Sequence, residues 1–429
     1  MVDVVLVLMA ASLILFFGFF AEFVFKRFNI PDVLFLIILG FVIGPNVLKY
    51  VLPADIFGIA PVFTTFTLLF LLFDGGFNIN LTSLIREFSH SFTLTLFNFV
   101  ISSAIIGVVV YLTGLFFFDG FSIALSLLTG FLLGGVSSSF VIPILKEIKV
   151  SEKIYSLLTL ESALTDVFCI VGALTVMTFL NAGQFGVQST FSQIVTLFAV
   201  AGLVGLVAGI VWIVLVIKVF KEHNYMMLIA YLLLVYVVTE LLNGNGAIAT
   251  LFFGIMLKNS KELSSIIRGI LTKKAREKKK ALKGELGVSV TTPSEEFFYH
   301  QISFFLKTFF FVYIGILIDL SDWKALILGI ILSFVLMFSR LGSLVLTKKM
   351  EPLQRSLINS MFARGLAAAA IAQMAVIQGI PHADFIARVT YIVITGTIIL
   401  SSIKIFIIKL KMSKVEEVVL SKKGKKSRV

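Results

Sequence analysis

Apolar runs of about 20 residues recur along this chain from one end to the other, and nothing constrains its fold more. At about 1.5 Å per helical residue, such a run matches the roughly 30 Å hydrocarbon core of a bilayer. Inside lipid every backbone N–H and C=O must be satisfied within the structure, which leaves helices or closed barrels. Barrel strands are only about 10 residues long, so the runs are helices. The chain reads as an all-α polytopic membrane protein of the cell membrane. Its composition agrees. Only 14% of its 429 residues are charged and 59% are hydrophobic, where soluble domains average about 25% charged. The first run begins at Val2 without a basic leader or a small-residue cleavage site, so a retained span is expected rather than a cleaved signal. The single cysteine, Cys169, excludes an intrachain disulfide and a cysteine metal cluster.

Thirteen spans are expected: 3–25, 31–51, 59–80, 89–115, 120–146, 153–181, 190–218, 225–243, 245–258, 298–319, 324–347, 353–379 and 384–410. Charge tests the count. With the N-terminus outside and strict alternation, only Lys49, Lys324 and Arg388 of the 36 basic residues fall outside, and Lys307, Arg340 and Arg364 fall within spans. All others fall inside, as the positive-inside rule requires. Residues 1–410 then form a transmembrane domain, 259–297 a basic cytoplasmic loop and 411–429 a basic cytoplasmic tail. The same topology accounts for the net charge of +12. The block "KKAREKKKALKG" (273–284) is read as facing anionic membrane lipid, not nucleic acid. His90, His223 and His300 lie near the inner face and are read as solvated helix ends.

An internal repeat is visible. "GFNINLTSL" (76–84) ends span 3 and "GILIDLSDW" (315–323) ends span 10, seven spans later and so in the opposite direction. Spans 5 and 12 are also seven apart, and both are interrupted, by "GGVSSSF" (134–140) and "ARGLAAAA" (363–370). Paired broken helices at matching repeat positions point to the binding site of a secondary transporter with an inverted-topology repeat. "GNGAIA" (244–249) lacks the strand that a phosphate loop needs and is discarded.

Six ionisable residues fall within spans: Asp74, Glu161, Asp166, Lys307, Arg340 and Arg364. Such residues are costly in lipid and mark function. Counted from the inner helix ends, they lie roughly 12–20 Å deep, in one slab between the inner third and the midplane. Glu161 and Asp166 stand about 140° apart around their helix and do different jobs. Glu161 can pair with a cation on a neighbouring helix. Asp166 shares a face with Ser162, and Glu161 with Thr165. Asp166 and Ser162 supply oxygens for a hard monovalent cation, Na+ or K+, and Ser137, Ser138 and Ser139 of broken span 5 could supply more. No soft-metal ligands accompany them. The structural alternative pairs Asp166 with Lys307 or Arg364.

These residues resemble a family. "LESALTDVFCIV" (160–171) is similar to the acidic motif of the sodium/proton exchanger branch of monovalent cation/proton antiporters. "LLFDGGFNI" (71–79), "FFFVYIGILID" (309–319), "FSRLGSL" (338–344) and "FARGLAAA" (362–369) resemble four further motifs, in order over residues 1–410. The resemblance implies an elevator-type antiporter with a six-helix core and a separate dimerisation domain, hence a homodimer. It implies that Asp166 binds cation and proton alternately, that Ser162 is a cation ligand and that Glu161 pairs with Arg340. Thr165 stands where the family has asparagine. Val136-Ser137-Ser138 replaces a threonine-aspartate-proline and resembles the serine-rich segment of glutathione-regulated potassium efflux relatives. Lys307 is similar to a lysine of the electrogenic branch, which has a second aspartate that this chain lacks.

The expected function is electroneutral exchange of Na+, or K+, for H+ at one shared carboxylate, with no cofactor beyond the transported ions. A bare carboxylate is costly at the midplane, and either ligand neutralises it. Electrogenic or K+-selective exchange is the alternative, then a sodium-coupled organic anion symporter. A channel would need a continuous filter. An intramembrane enzyme would need a catalytic set that the spans do not hold.

Overall fold

A computed structural model of the chain describes residues 4–28, 31–56, 58–77, 79, 81–117, 121–148, 150–181, 187–216, 225–260 and 293–426. Most of the basic loop expected at 259–297, and His223, therefore lie outside the described residues. The helices are α1 (Val4–Phe28), α2 (Asp32–Ile43), α3 (Pro53–Ile56), α4 (Ala60–Phe77), α5 (Leu81–Phe117), α6 (Ile123–Leu132), α7 (Ser138–Ile148), α8 (Glu152–Asn181) and α9 (Val187–Leu215). They continue as α10 (Tyr225–Leu241), α11 (Gly246–Lys258), α12 (Pro293–Leu317), α13 (Trp323–Ser339), α14 (Ser343–Leu346), α15 (Pro352–Ser360), α16 (Leu366–Ile377) and α17 (Ala383–Lys426). Among the described residues there is no strand. Among the described residues, seven helices are long and apolar enough to cross a membrane, and six shorter apolar helices of 10–17 residues accompany them. Together they fall on the thirteen expected stretches. The chain is a multi-pass membrane protein.

Local chemistry sets the ends. Ser122 caps α6 by accepting from Leu125 N at 3.2 Å, and Asp322 caps α13 by accepting from Ala325 N at 3.1 Å. In "GNGAIA", Asn245 caps α11 through Ile248 N at 3.1 Å, a turn and not a phosphate loop. Each cap satisfies an amide that its own helix leaves unpaired. Spans 5 and 12 are both broken, between α6 and α7 and between α15 and α16.

The chain forms two compact units: Met1–Thr64, Ser89–Leu180 and Lys307–Val429 in the first, and Thr65–Phe88 and Asn181–Leu306 in the second. Within the first unit, α2 and α12 cross at Gly40 and Gly315. A Cβ on Gly40 would strike the Val312 carbonyl, and one on Gly315 the Ile37 carbonyl. Helices in lipid associate through such small residues, because apolar tails offer no hydrophobic drive. Along this crossing the contacts ascend together, from Asp32 with Lys307 to Asn46 with Ile318, so α2 and α12 run parallel. In contrast, α5 and α6 are antiparallel: Phe99 stacks on Phe131 while Gly107 approaches Ser126. In the second unit Thr250 donates to Leu69 O and Asn259 to Ile79 O, so α4 and α11 run parallel. All three relations are those that strict alternation requires.

Candidate functional site

The two breaks meet in the first unit. Ser137 N donates to Ala363 O at 2.9 Å, and Arg364 Nη1 donates to Gly135 O. Arg364 N in turn donates to Thr397 Oγ1 at 3.0 Å. Unwound backbone survives at membrane depth only where protein satisfies it, and these bonds do so. The approach is close: a Cβ on Gly365 would collide with the Ser137 side chain, so only glycine fits there. Helices α7 and α16 both begin at this crossing and turn their positive ends towards it, which suits a carboxylate.

Asp166 meets that crossing from α8. Its Oδ2 accepts from Ser138 Oγ at 2.7 Å, and the Ser138 backbone N–H also donates to it. Asp166 and Ser138 are both half-buried. The charge of Arg364, itself buried, bears on the same carboxylate. Thr165, buried beside it, accepts from Val136 N at 3.0 Å and donates to Ser162 O at 3.1 Å. It pins the unwound strand of span 5 to α8 one residue from Asp166. Ser162 donates to Thr159 O at 3.0 Å, and Ser137 engages Ala363 through its backbone. The structure thus brings Asp166, Ser138, Thr165 and Arg364 together. Cys169, one turn on, is buried against Gly135.

Glu161 is only 1% exposed and Arg340 only 3%. Arg340 Nη1 donates to Glu161 Oε1 at 2.5 Å and Nη2 to Oε2 at 2.7 Å, a bidentate pair. Arg340 Nε donates to Ile358 O at 3.0 Å, and Asn98 Nδ2 donates to Glu161 Oε1 at 2.8 Å. Three hydrogen bonds thus hold the carboxylate, two on Oε1 and one on Oε2.

Two of the six charges have neighbours that sequence spacing does not reveal. Lys307 does not pair with Asp166: its Nζ lies 2.6 Å from Oδ2 of Asp32, at the start of α2. The close Gly40–Gly315 crossing brings that helix-start acid to the lysine, a contact that sequence spacing does not reveal. The span expected at 59–80 is helical as α4, which ends at Phe77, three residues beyond Asp74. Asp74 sits within the last turn of α4 in the second unit, with His300 Nδ1 3.9 Å from its carboxylate. Asn98 was also missed, since a lone asparagine in an apolar helix has no signature until its partner is placed.

Residues 11–411 match the family model "Sodium/hydrogen exchanger, transmembrane". The Na(+)/H(+) antiporter ApNhaP of Aphanothece halophytica is 31% identical over 170 residues, covering 37% of this chain and 32% of that protein. The match thus spans about a third of that relative's length. Among solved structures, the sodium proton antiporter MjNhaP1 of Methanocaldococcus jannaschii at pH 8 superposes with a TM-score of 0.69 at 19% identity, over 93% of this chain and 95% of that one. An electron-microscopy structure of the same antiporter gives 0.68 at 18%, over 95% and 98%. At those identities the likeness establishes the fold. With the family model matched over nearly the whole chain, the protein belongs to the transmembrane sodium/hydrogen exchanger family.

Proposed function

We propose that this protein exchanges a monovalent cation, Na+ in the first instance, for H+ across the cell membrane, one for one, with Asp166 as the shared site. The observation that carries the reading is a half-buried carboxylate at the crossing of two broken helices, held by one hydroxyl and one amide of Ser138. The remaining lone pairs are open to a cation or a proton, with Ser162, Thr165, Ser137 and water as further oxygen sources. In the dry core the bare carboxylate is the costly state, and each ligand neutralises it. Competition follows, because one carboxylate cannot hold both.

The Asp32–Lys307 pair supports electroneutrality. A lysine whose counter-ion is Asp32 has no need to release a proton when a cation reaches Asp166. The likeness to sodium/proton antiporters supports Na+, and the serine run 137–139 keeps K+ as the second ion to test. Family membership supports assembly as a homodimer.

Proteoliposomes loaded with a pH dye test the reading. Na+ should drive proton movement, and Asp166→Asn should reduce it to the protein-free background. Exchange by Asp166→Asn at the wild-type rate refutes the site. A potassium/valinomycin potential with no pH gradient should move no Na+. Sustained potential-driven uptake would refute the one-for-one scheme and bring Lys307 into the cycle.

A further inference from the structure

Two cations near the face expected to be cytoplasmic have no acid of their own. Arg355 stands on α15 and Lys404 on α17, helices that pack together within the first unit. Lys404 Nζ donates to Asn359 O at 3.1 Å and lies 5.2 Å from the centre of the Phe362 ring. Asn359 follows Arg355 by four residues, so the two share a face of α15. The neighbouring cations are already matched: Arg340 is bound to Glu161, and Lys409 Nζ lies 3.8 Å from Glu147. Among the described residues no carboxylate forms an ion pair with Arg355 or Lys404. Glu351, one turn before Arg355, is exposed.

Polar atoms at the same place are unsatisfied. Arg355 Nε is buried without a hydrogen-bond partner, and so are Asn359 Oδ1 and, one turn before Lys404, Ser401 Oγ. Buried groups of this kind are bonded in nearly all native interiors, so these three call for a polar ligand. A guanidinium and an ammonium without counter-ions ask for an anion, and the flat guanidinium suits phosphate. Asn359 Oδ1 asks for a donor, which a headgroup hydroxyl supplies.

Position says which phosphate. Lys404 lies seven residues beyond Thr397, whose hydroxyl accepts from the Arg364 amide at the crossing of the breaks. That is about 10 Å along α17, against a hydrocarbon half-thickness of about 15 Å. Thr397 is the middle residue of the span expected at 384–410, so Lys404 sits just beneath the inner phosphate layer. Ile403, Phe406 and Ile407, on the adjoining face of α17, are each about half exposed. They form an apolar strip beside the two cations, useful to acyl chains and useless to a free anion. Basic pockets between spanning helices on the inner side are where acidic headgroups bind.

We propose that α15 and α17 form a site for an anionic phospholipid of the inner leaflet, with its phosphate between Arg355 and Lys404, a headgroup hydroxyl on Asn359 and its chains along Ile403 and Ile407. The bound phosphate ties α15 to α17 just before the break at Met361. The site stands whether or not Asp166 carries exchange.

Native mass spectrometry of the purified protein, titrated with phosphatidylglycerol or phosphatidylcholine in neutral detergent, tests it. Phosphatidylglycerol should bind about tenfold more tightly. Arg355→Gln and Lys404→Gln should each weaken it several-fold and leave phosphatidylcholine unchanged, and Lys404→Arg should restore it. Lys404 also holds a backbone carbonyl, so its loss can disturb α15. Arg355 makes no side-chain hydrogen bond or ion pair among the described residues, and Arg355→Gln therefore decides the matter alone if Lys404→Gln does not fold. The exposed pair Lys348 and Lys349 controls for diffuse attraction: Lys348→Gln/Lys349→Gln should change binding by less than about twofold. Equal binding of the two lipids, or a loss that follows Lys348 and Lys349 but not Arg355, overturns the site. Inorganic phosphate at matched ionic strength should leave the lipid in place; displacement would assign the two cations to a free anion and overturn the lipid.

Discussion

Glu161 and Asp166 share one helix, five residues apart, and their surroundings treat them in opposite ways. Glu161 is enclosed by a bidentate arginine and an asparagine amide and is almost wholly buried. Asp166 has one serine, the first residue of α7 beside the break, and is half-buried. A buried carboxylate held by three hydrogen bonds, two of them from an arginine, fixes the packing of helices, and changing its state costs the whole network. A carboxylate with vacant lone pairs beside broken backbone can change partners without unfolding anything. Under the proposed function, the more elaborately bound acid is the scaffold and the sparsely bound one is the working group.

Substitutions at four residues sharpen that contrast. Glu161→Gln or Arg340→Gln leaves one member of a buried pair unmatched, which typically costs about 3–5 kcal/mol. The thermal midpoint should fall steeply for each, and the double variant should lose less than the sum by about 1–3 kcal/mol. Strictly additive losses would mean that the pair does not act as a unit. Thr165→Val leaves the buried Val136 N–H without its acceptor, for about 1–3 kcal/mol. Exchange should slow with it, because Ser138 is carried by that strand, and Thr165→Ser should restore both. A Thr165→Val protein of wild-type stability would show that the strand is held by other contacts. Ser138→Ala removes one hydroxyl from the working carboxylate, about 1 kcal/mol, and should shift half-saturating Na+ roughly fivefold with little change in midpoint. A large stability loss with unaltered Na+ dependence would reverse the roles assigned to the two acids.

Much of this was legible in the sequence because lipid simplifies the rules. Hydropathy marks where helices lie, since no other backbone is stable there, and all thirteen expected stretches carry an apolar helix. Gly134-Gly135 and Arg364-Gly365 announced the breaks, because glycine and a buried charge in mid-span serve no simple packing need. What stayed hidden depends on which helices touch. Asp32 looked like an ordinary acid at a helix start until the Gly40–Gly315 crossing set Lys307 against it. Asn98 carries no pattern of its own. Ser138, rather than Ser162, donates to Asp166 because the unwound strand turns the start of α7 towards α8, a geometry that i, i+4 spacing cannot encode.

Radioactive Na+ uptake into proteoliposomes, with half-saturation measured at several fixed pH values equal on both sides, asks whether cation and proton share Asp166. Competition for one carboxylate requires half-saturating Na+ to rise about tenfold for each unit of acidification on the acid limb, at a constant saturated rate. Half-saturation that holds steady across pH while the saturated rate falls would place the proton on a different group from the cation.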